Sequence, residues 1–196
     1  MDRKSIRKNK KDALVETARG LFYRYGIRKV AIEEICAEAK VSKMTFYKYF
    51  ANRMELAKEV LDGILDRAIR QFSDMMESDI SFEEKMQGVL QMKIENAKDA
   101  SVAFIIDIYR GPDVELVEHT LTWIRRGKQL AVDYFMNAQR QGYIRKGISP
   151  ALMLVLLDKM QELALDDRVL ATCGNLQDLV VEITKLFLYG IMENEN

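Results

Sequence analysis

Apolar residues recur along this chain at intervals of three and four, and turn-forming residues separate the stripes they make. Leu14, Ala18, Leu21, Phe22 and Tyr25 share one face of a helix that the spacing ends near Gly26. Ile32, Ile35, Cys36 and Ala39 mark a short second helix, about Ile32–Ala39. A turn follows at Lys40-Val41-Ser42, with Ser42 placed to cap the next element. Asn52 is positioned to cap a longer helix, about Arg53–Glu77, whose stripe is Ala57, Val60, Leu61, Ile64, Leu65, Ala68 and Phe72. Ser81-Phe82-Glu83-Glu84 has the form of a capping box and opens a helix towards Lys98. Ser101–Arg110 predicts a short helix stopped by Gly111-Pro112, and a long helix runs from about Asp113 to Gln141, ending at Gly142. Ser149-Pro150 supplies an N-cap and first-turn proline for a helix to about Asp166. Asn175 caps a last helix with Leu176, Leu179, Val180, Ile183, Leu186, Phe187 and Gly190 on one face. Two prolines and ten glycines in 196 residues leave few breakers, so the expected fold is all-α.

One stretch resists this pattern. Val41–Phe50 reads VSKMTFYKYF, and its aromatic end has the composition of a strand. On a strand both faces would carry aromatics, and the neighbouring sequence offers no partner strand. On a helix over Lys43–Phe50, Phe46 and Phe50 become i, i+4 partners on a face that packs on Ile35 and on Leu21 or Phe22. Thr45, Tyr47, Lys48 and Tyr49 then spread round the rest. Helix is the better account, and it makes a three-helix unit containing a helix-turn-helix. The second helix of such a pair lies in the DNA major groove, where lysines and tyrosine hydroxyls reach phosphates and base edges.

Charge supports that reading for one end only. The formal net charge is zero, yet residues 1–60 hold 15 Lys+Arg against 8 Asp+Glu, and the remainder 15 against 22. A basic N-terminal segment of +7 calls for a polyanionic partner. The run Arg3-Lys4, Arg7-Lys8, Lys10-Lys11 is either a solvated terminus or a basic arm on a phosphate backbone. Cys36 and Cys173 have no paired spacing, which suggests a reducing compartment and small buried residues. No apolar run approaches the ~18 residues of a membrane span, and no apolar segment follows the charged start. The expected location is cytoplasmic, with no membrane partner.

At these residues the sequence resembles the N-terminal domain of the TetR family of bacterial transcription repressors. Leu21-Phe22, Gly26, Ile35-Cys36, Ala39, Val41-Ser42, Thr45, Tyr47, Tyr49-Phe50, Arg53 and Leu56 carry the likeness, over roughly residues 10–60. The resemblance implies a DNA-binding domain over 1–52 and a helical ligand-binding and dimerisation domain over 53–196. It implies phosphate contacts from Thr45, Tyr47, Tyr49 and Arg53, and groove-facing roles for Lys43 and Lys48. Ser42 and Met44 complete that expected DNA-binding set. Three positions depart from the family pattern. Val30 and Ala31 stand where Thr or Ser is usual, which removes a helix cap worth ~1 kcal/mol. Met44 and Lys40 each replace a usual Gly.

Function beyond DNA binding is less marked. Met86, Met92, Phe104, Tyr109, Trp123 and Met153 are either ordinary core or the lining of an effector cavity between helices. Asp107 and His119, the only histidine, are the polar candidates to orient a ligand there, and the aromatic and methionine content favours a lipophilic one, neutral or cationic. A metal site is not expected, because a lone histidine near Glu115 and Glu118 lacks the ligand pairs of a di-iron bundle, and no cofactor is implied. Leu152, Val155, Leu156, Leu163, Leu179, Ile183, Leu186 and Phe187 give the last two helices broad apolar surfaces. Core burial accounts for part of them, and the resemblance implies a homodimeric four-helix bundle for the rest. The resulting expectation is a homodimeric regulator, a repressor of double-stranded operator DNA released by a small lipophilic molecule. A ligand-independent regulator or an activator is the nearest alternative. An all-helical enzyme with an incidental basic end lacks any nucleophile–base pair, phosphate loop or metal cluster. A membrane-surface protein using its basic first helix is a third class.

Overall fold

The computed structural model describes residues 3–170 and 176–192, and of residues 3–9, Ala164, Asp167, Leu170 and Leu176 it describes the backbone alone. Ten α-helices follow one another among them: α1 Arg3–Tyr25, α2 Ile32–Glu38, α3 Lys43–Phe46, α4 Arg53–Glu77, α5 Phe82–Ala97, α6 Val102–Arg110, α7 Val114–Arg140, α8 Pro150–Ala164, α9 Asp167–Leu170 and α10 Leu176–Ile191. The one β-type pairing among the described residues is an isolated antiparallel bridge between Ile144 and Met192. The expected Asn175 cap and Cys173, together with the side chains of Arg3, Lys4, Arg7 and Lys8, lie outside the described residues.

Side-chain caps begin most of these helices, as the sequence predicts. The Asn52 Oδ1 accepts from the Glu55 N–H at 2.9 Å at the head of α4. Ser81 and Glu84 exchange both bonds of a capping box at α5. Ser101, Asp113 and Ser149 accept from Phe104, Leu116 and Leu152 in the same way. Such bonds satisfy amide groups that a helix start otherwise leaves without partners.

Two differences from the expected elements are informative. The helix expected over Lys43–Phe50 is regular only to Phe46. Beyond it the Lys48 and Tyr49 amides bond three residues back, to Thr45 and Phe46 at 3.2 and 2.9 Å, so the chain tightens into turns. Aromatic residues lose rotamer freedom in a helix, and so short a segment gains little from propagation; burial of Phe46 and Phe50 decides its path. The helix expected to reach Asp166 stops at Ala164. Asp166 then accepts from the Arg168 N–H at 2.9 Å and pairs with the Arg168 guanidinium, which holds its carboxyl down at about 2 and starts the separate short α9.

The chain forms two compact units. The first takes Met1–Asp66 and Asp99–Thr122, the second Arg67–Lys98 and Trp123–Asn196. This is not the expected division at 52/53, because the first part of α4, all of α6 and the start of α7 join the N-terminal helices. The first unit packs around Leu14, Phe22, Ile35, Phe46, Leu56 and Leu61, with Phe104, Ile108 and Leu116 in the same cluster. The second packs around Phe72, Met76, Met86, Phe135, Ile144 and Met153.

Candidate nucleic-acid interface

Within the first unit, α2, the following turn and α3 form the expected pair. Ile35 and Cys36 bury the inner face of α2, and Phe46 is fully buried beneath α3. Phe46 and Phe50 lie with ring centroids 5.7 Å apart, both in the core that holds Leu21, Phe22 and Ile35. With the aromatic anchors inside, the opposite side of the segment faces water. Met44 is 73% exposed, Tyr47 57%, and Lys48 is exposed.

Local hydrogen bonds hold this segment. Ser42 caps α3, its Oγ accepting from the Thr45 N–H at 3.2 Å and lying 2.9 Å from the Thr45 hydroxyl. At α2 the cap residue is Ala31, in extended conformation and with no side-chain bond. Lys40, the turn residue, sits at φ +54°, in the left-handed region that disfavours a side chain. The lysine at that position therefore costs backbone strain, while its side chain is exposed.

Three of the expected DNA-binding residues stand differently from the expectation. Arg53, expected at phosphate, turns inward: its Nη1 donates to the Arg28 and Val30 carbonyls at 3.0 and 2.8 Å, and its Nε is buried with no protein partner. A planar donor fork satisfies loop carbonyls well, and that competes with display to solvent. Lys43, expected to face the groove, pairs with Glu33 of α2 at 2.5 Å. That hydrogen bond holds the Glu33 carboxyl below its ordinary range and raises the lysine. Tyr49 is half-buried against the core rather than exposed, with its ring 6.4 Å from Phe50. Glu33 itself had no sequence signal, since its partner lies on another helix. Cys36 is buried and burial pushes its thiol up, which suits a small core residue.

The expected effector residues do not gather in one core. The Phe104 ring lies tilted against Tyr23 at 4.6 Å, and Tyr109 packs on the same first-unit core, where burial pushes its hydroxyl up to about 12. Asp107 is 4% exposed and pairs with Arg28, so its carboxylate is already used. His119 Nε2 lies 2.7 Å from Asp62. Met86, Met92 and Met153 belong to the second core, and Trp123 is half-buried with the Arg126 guanidinium 5.5 Å from its ring.

The expected dimer residues also divide. Leu152, Val155, Leu156, Leu163 and Leu186 are exposed, Leu186 at 75%, and Tyr189 joins them at 67%. Leu179 and Ile183 are instead buried within the chain. Phe187 packs on Phe135 at 5.9 Å. The α10 stripe expected as one face is thus split between the core and the surface. No described helix is long and apolar enough to cross a membrane.

Comparison with known proteins matches the helical fold. A family model described as bacterial regulatory proteins, tetR family, covers residues 14–60. The HTH-type transcriptional repressor KstR2 of Mycobacterium tuberculosis is 28% identical over 96 residues, which is 48% of this chain and 48% of that protein. The chain spans about half the length of the curated relatives it matches. The solved structure of KstR2, described as a ketosteroid transcriptional regulator, covers 94% of this chain and 95% of its own at TM-score 0.63 and 19% identity. The fatty acid degradation regulator FadR from Bacillus halodurans covers 92% and 95% at TM-score 0.72 and 18% identity. A transcriptional regulator from Saccharomonospora viridis in complex with choline covers 94% and 98% at TM-score 0.72 and 15% identity. At such identities the structural likeness speaks to the fold.

Proposed function

We propose that this chain, whose residues 14–60 match the model of bacterial regulatory proteins, tetR family, is a homodimeric regulator that represses by binding operator DNA and is released by a small lipophilic effector. The observation that carries this reading is the outer face of α3 and of the turn residues Tyr47 and Lys48 that follow it. Its aromatic anchors are buried while Met44, Tyr47 and Lys48 stand in water, the arrangement of a helix that reads a groove. Lys48 and Met44 face base edges, the methionine over a thymine methyl. Tyr47 and Thr45 hold phosphates. Lys43 joins them by exchanging Glu33 for DNA, and Ser42 acts as a cap. Arg53 and Tyr49 support the surface from behind.

The exposed leucines of α8 and α10 support a dimer, which places two copies of α3 on two half-sites. The proteins named for ketosteroids and fatty acids, and the one with choline bound, fit a small organic effector for this chain. Asp107 no longer argues for a cationic one, since Arg28 already neutralises it. Release is a population shift: an effector lowers operator affinity only by its preference for the conformation that binds DNA poorly.

The test is selection from a random-sequence duplex pool. The expected result is enrichment of an inverted repeat, and failure to enrich any sequence contradicts the reading. For the effector, Trp123 is the sole tryptophan, so acyl chains, neutral aromatics and lipophilic cations can be titrated by its fluorescence. A ligand that shifts the emission is expected to dissociate the selected duplex in parallel; no response from any of the three classes contradicts the effector.

A further inference from the structure

We propose that the Asp107–Arg28 pair is a latch by which α6 holds the loop leading into α2, making Asp107 a positioning residue for operator binding. This rests on the reading of α2 and α3 as the DNA-binding pair.

The loop over residues 26–31 is held from two sides. From α6, the buried Asp107 uses both carboxylate oxygens: Oδ2 accepts from the Arg28 backbone N–H at 3.0 Å and Oδ1 from the Arg28 Nε at 2.6 Å. From α4, Arg53 donates to the Arg28 and Val30 carbonyls. The approach of α6 is close. Gly26 sits at φ +86°, and a Cβ there would meet the Ala103 Cβ at 3.0 Å and Asp107 Oδ2 at 3.1 Å. The head of α6 is tied to the end of α1 as well, by the Ser101 N–H bonded to the Tyr23 carbonyl at 2.8 Å.

What the loop lacks makes these bonds matter. Ala31 gives α2 no side-chain cap, so the path from the loop into α2 rests on the buried Ile27, Val30, Ile35 and Cys36 and on the groups that grip Arg28 and Val30. An ion pair with only its carboxylate buried adds little stability, but it demands one geometry. The Arg28 side chain is still 56% exposed, and a cleft of about 290 Å³ lined by Arg28, Arg53, Asp107 and Asp113 opens beside it. The guanidinium therefore has room to leave without unpacking the core. A shift of α6 by more than a hydrogen bond can stretch moves the loop or breaks the pair, and either changes how α2 and α3 are presented.

The experiment uses the full chain and a duplex selected by the wild-type protein from a random pool. Asp107→Asn keeps the size and one acceptor but removes the charge; Asp107→Leu removes both bonds; Arg28→Ala removes the guanidinium. Affinities are measured below each variant's thermal transition, with salt dependence. The latch predicts that Asp107→Leu loses about tenfold in operator affinity, Asp107→Asn less, with the salt slope unchanged because no phosphate contact is lost. It also predicts that Arg28→Ala adds nothing to Asp107→Leu. Should Asp107→Leu not fold, Asp107→Asn and Arg28→Ala make the same cycle. Wild-type affinity in folded Asp107 variants, or losses that simply add, overturns the latch and leaves the DNA-binding reading intact. A wild-type protein that selects no duplex overturns both.

Discussion

The two most exposed working surfaces of this chain are built in opposite senses. Over Lys43–Phe50, α3 and the turns after it, Phe46 and Phe50 turn to the core, and what faces water is two lysines, a tyrosine and a methionine, while α2 beside them exposes Glu33, Glu34 and Glu38. On α8 and α10 the apolar residues turn outward, with Leu152, Val155, Leu156, Leu186 and Tyr189 all exposed. A surface of the first kind is stable in water and waits for charge. A surface of the second kind gains when covered, roughly 1.5–3 kcal/mol for each large side chain fully buried. The first suits a polyanion and the second another apolar face, which under the proposed dimer is its own copy.

The comparison can be broken from either side. The largest effect is expected from Phe46→Ala, which empties the core under α3 and costs about 3–5 kcal/mol. Calorimetry should show that loss in the first unit, with operator binding abolished at temperatures where wild type binds. Next comes Leu186→Asp combined with Leu156→Asp. Neither residue is buried in the chain, so folding is retained while an apolar interface acquires carboxylates. Sedimentation should show a monomer, and operator affinity should drop about a hundredfold, roughly 2.7 kcal/mol. A dimer with unchanged concentration dependence would put the interface elsewhere. Phe187 is the poorer choice for this test, because it packs on Phe135 and its loss unsettles the monomer.

Smaller effects separate roles on the α3 face. Lys48→Ala should cost about 1–3 kcal/mol and relax preference at one base position, whereas Tyr47→Phe should weaken all sequences alike. Footprints of both variants on the selected and a scrambled duplex decide this, and equal loss of preference would sink the division of roles. Smallest is a gain. Ala31→Ser supplies the missing cap of α2, worth ~1 kcal/mol, and Lys40→Gly relieves the φ of +54° for about as much. Both should raise the thermal midpoint.

Helix order was legible in the chain because caps and breakers are local. Asn52, Ser81, Ser101, Asp113 and Ser149 each announce a start within four residues of the bond they make. The outer face of α3 was legible for a related reason, since Phe46 and Phe50 claim the inside and leave the rest. Partners far apart in sequence were not legible. Arg53 was expected at phosphate because nothing in its neighbourhood reveals the Arg28 and Val30 carbonyls, 25 and 23 residues away. Asp107 was expected in a pocket because its cation lies 79 residues off. Periodicity also could not divide α10, where Leu179 and Ile183 share a stripe with Leu186 yet only the last is exposed. A stripe says which residues avoid water, and not which neighbour covers them.

The central claim is that the outer face of α3 and the turn after it, Met44 to Lys48, reads DNA. Its most direct test is the ratio of affinities for the selected duplex and a scrambled one, at one salt concentration, for wild type and for the triple variant Met44→Ala, Tyr47→Ala, Lys48→Ala. These three side chains are exposed, so circular dichroism and sedimentation should be unchanged. The account predicts a ratio of about a thousand or more for wild type and a ratio near one for the variant. A variant that keeps the wild-type ratio would contradict it.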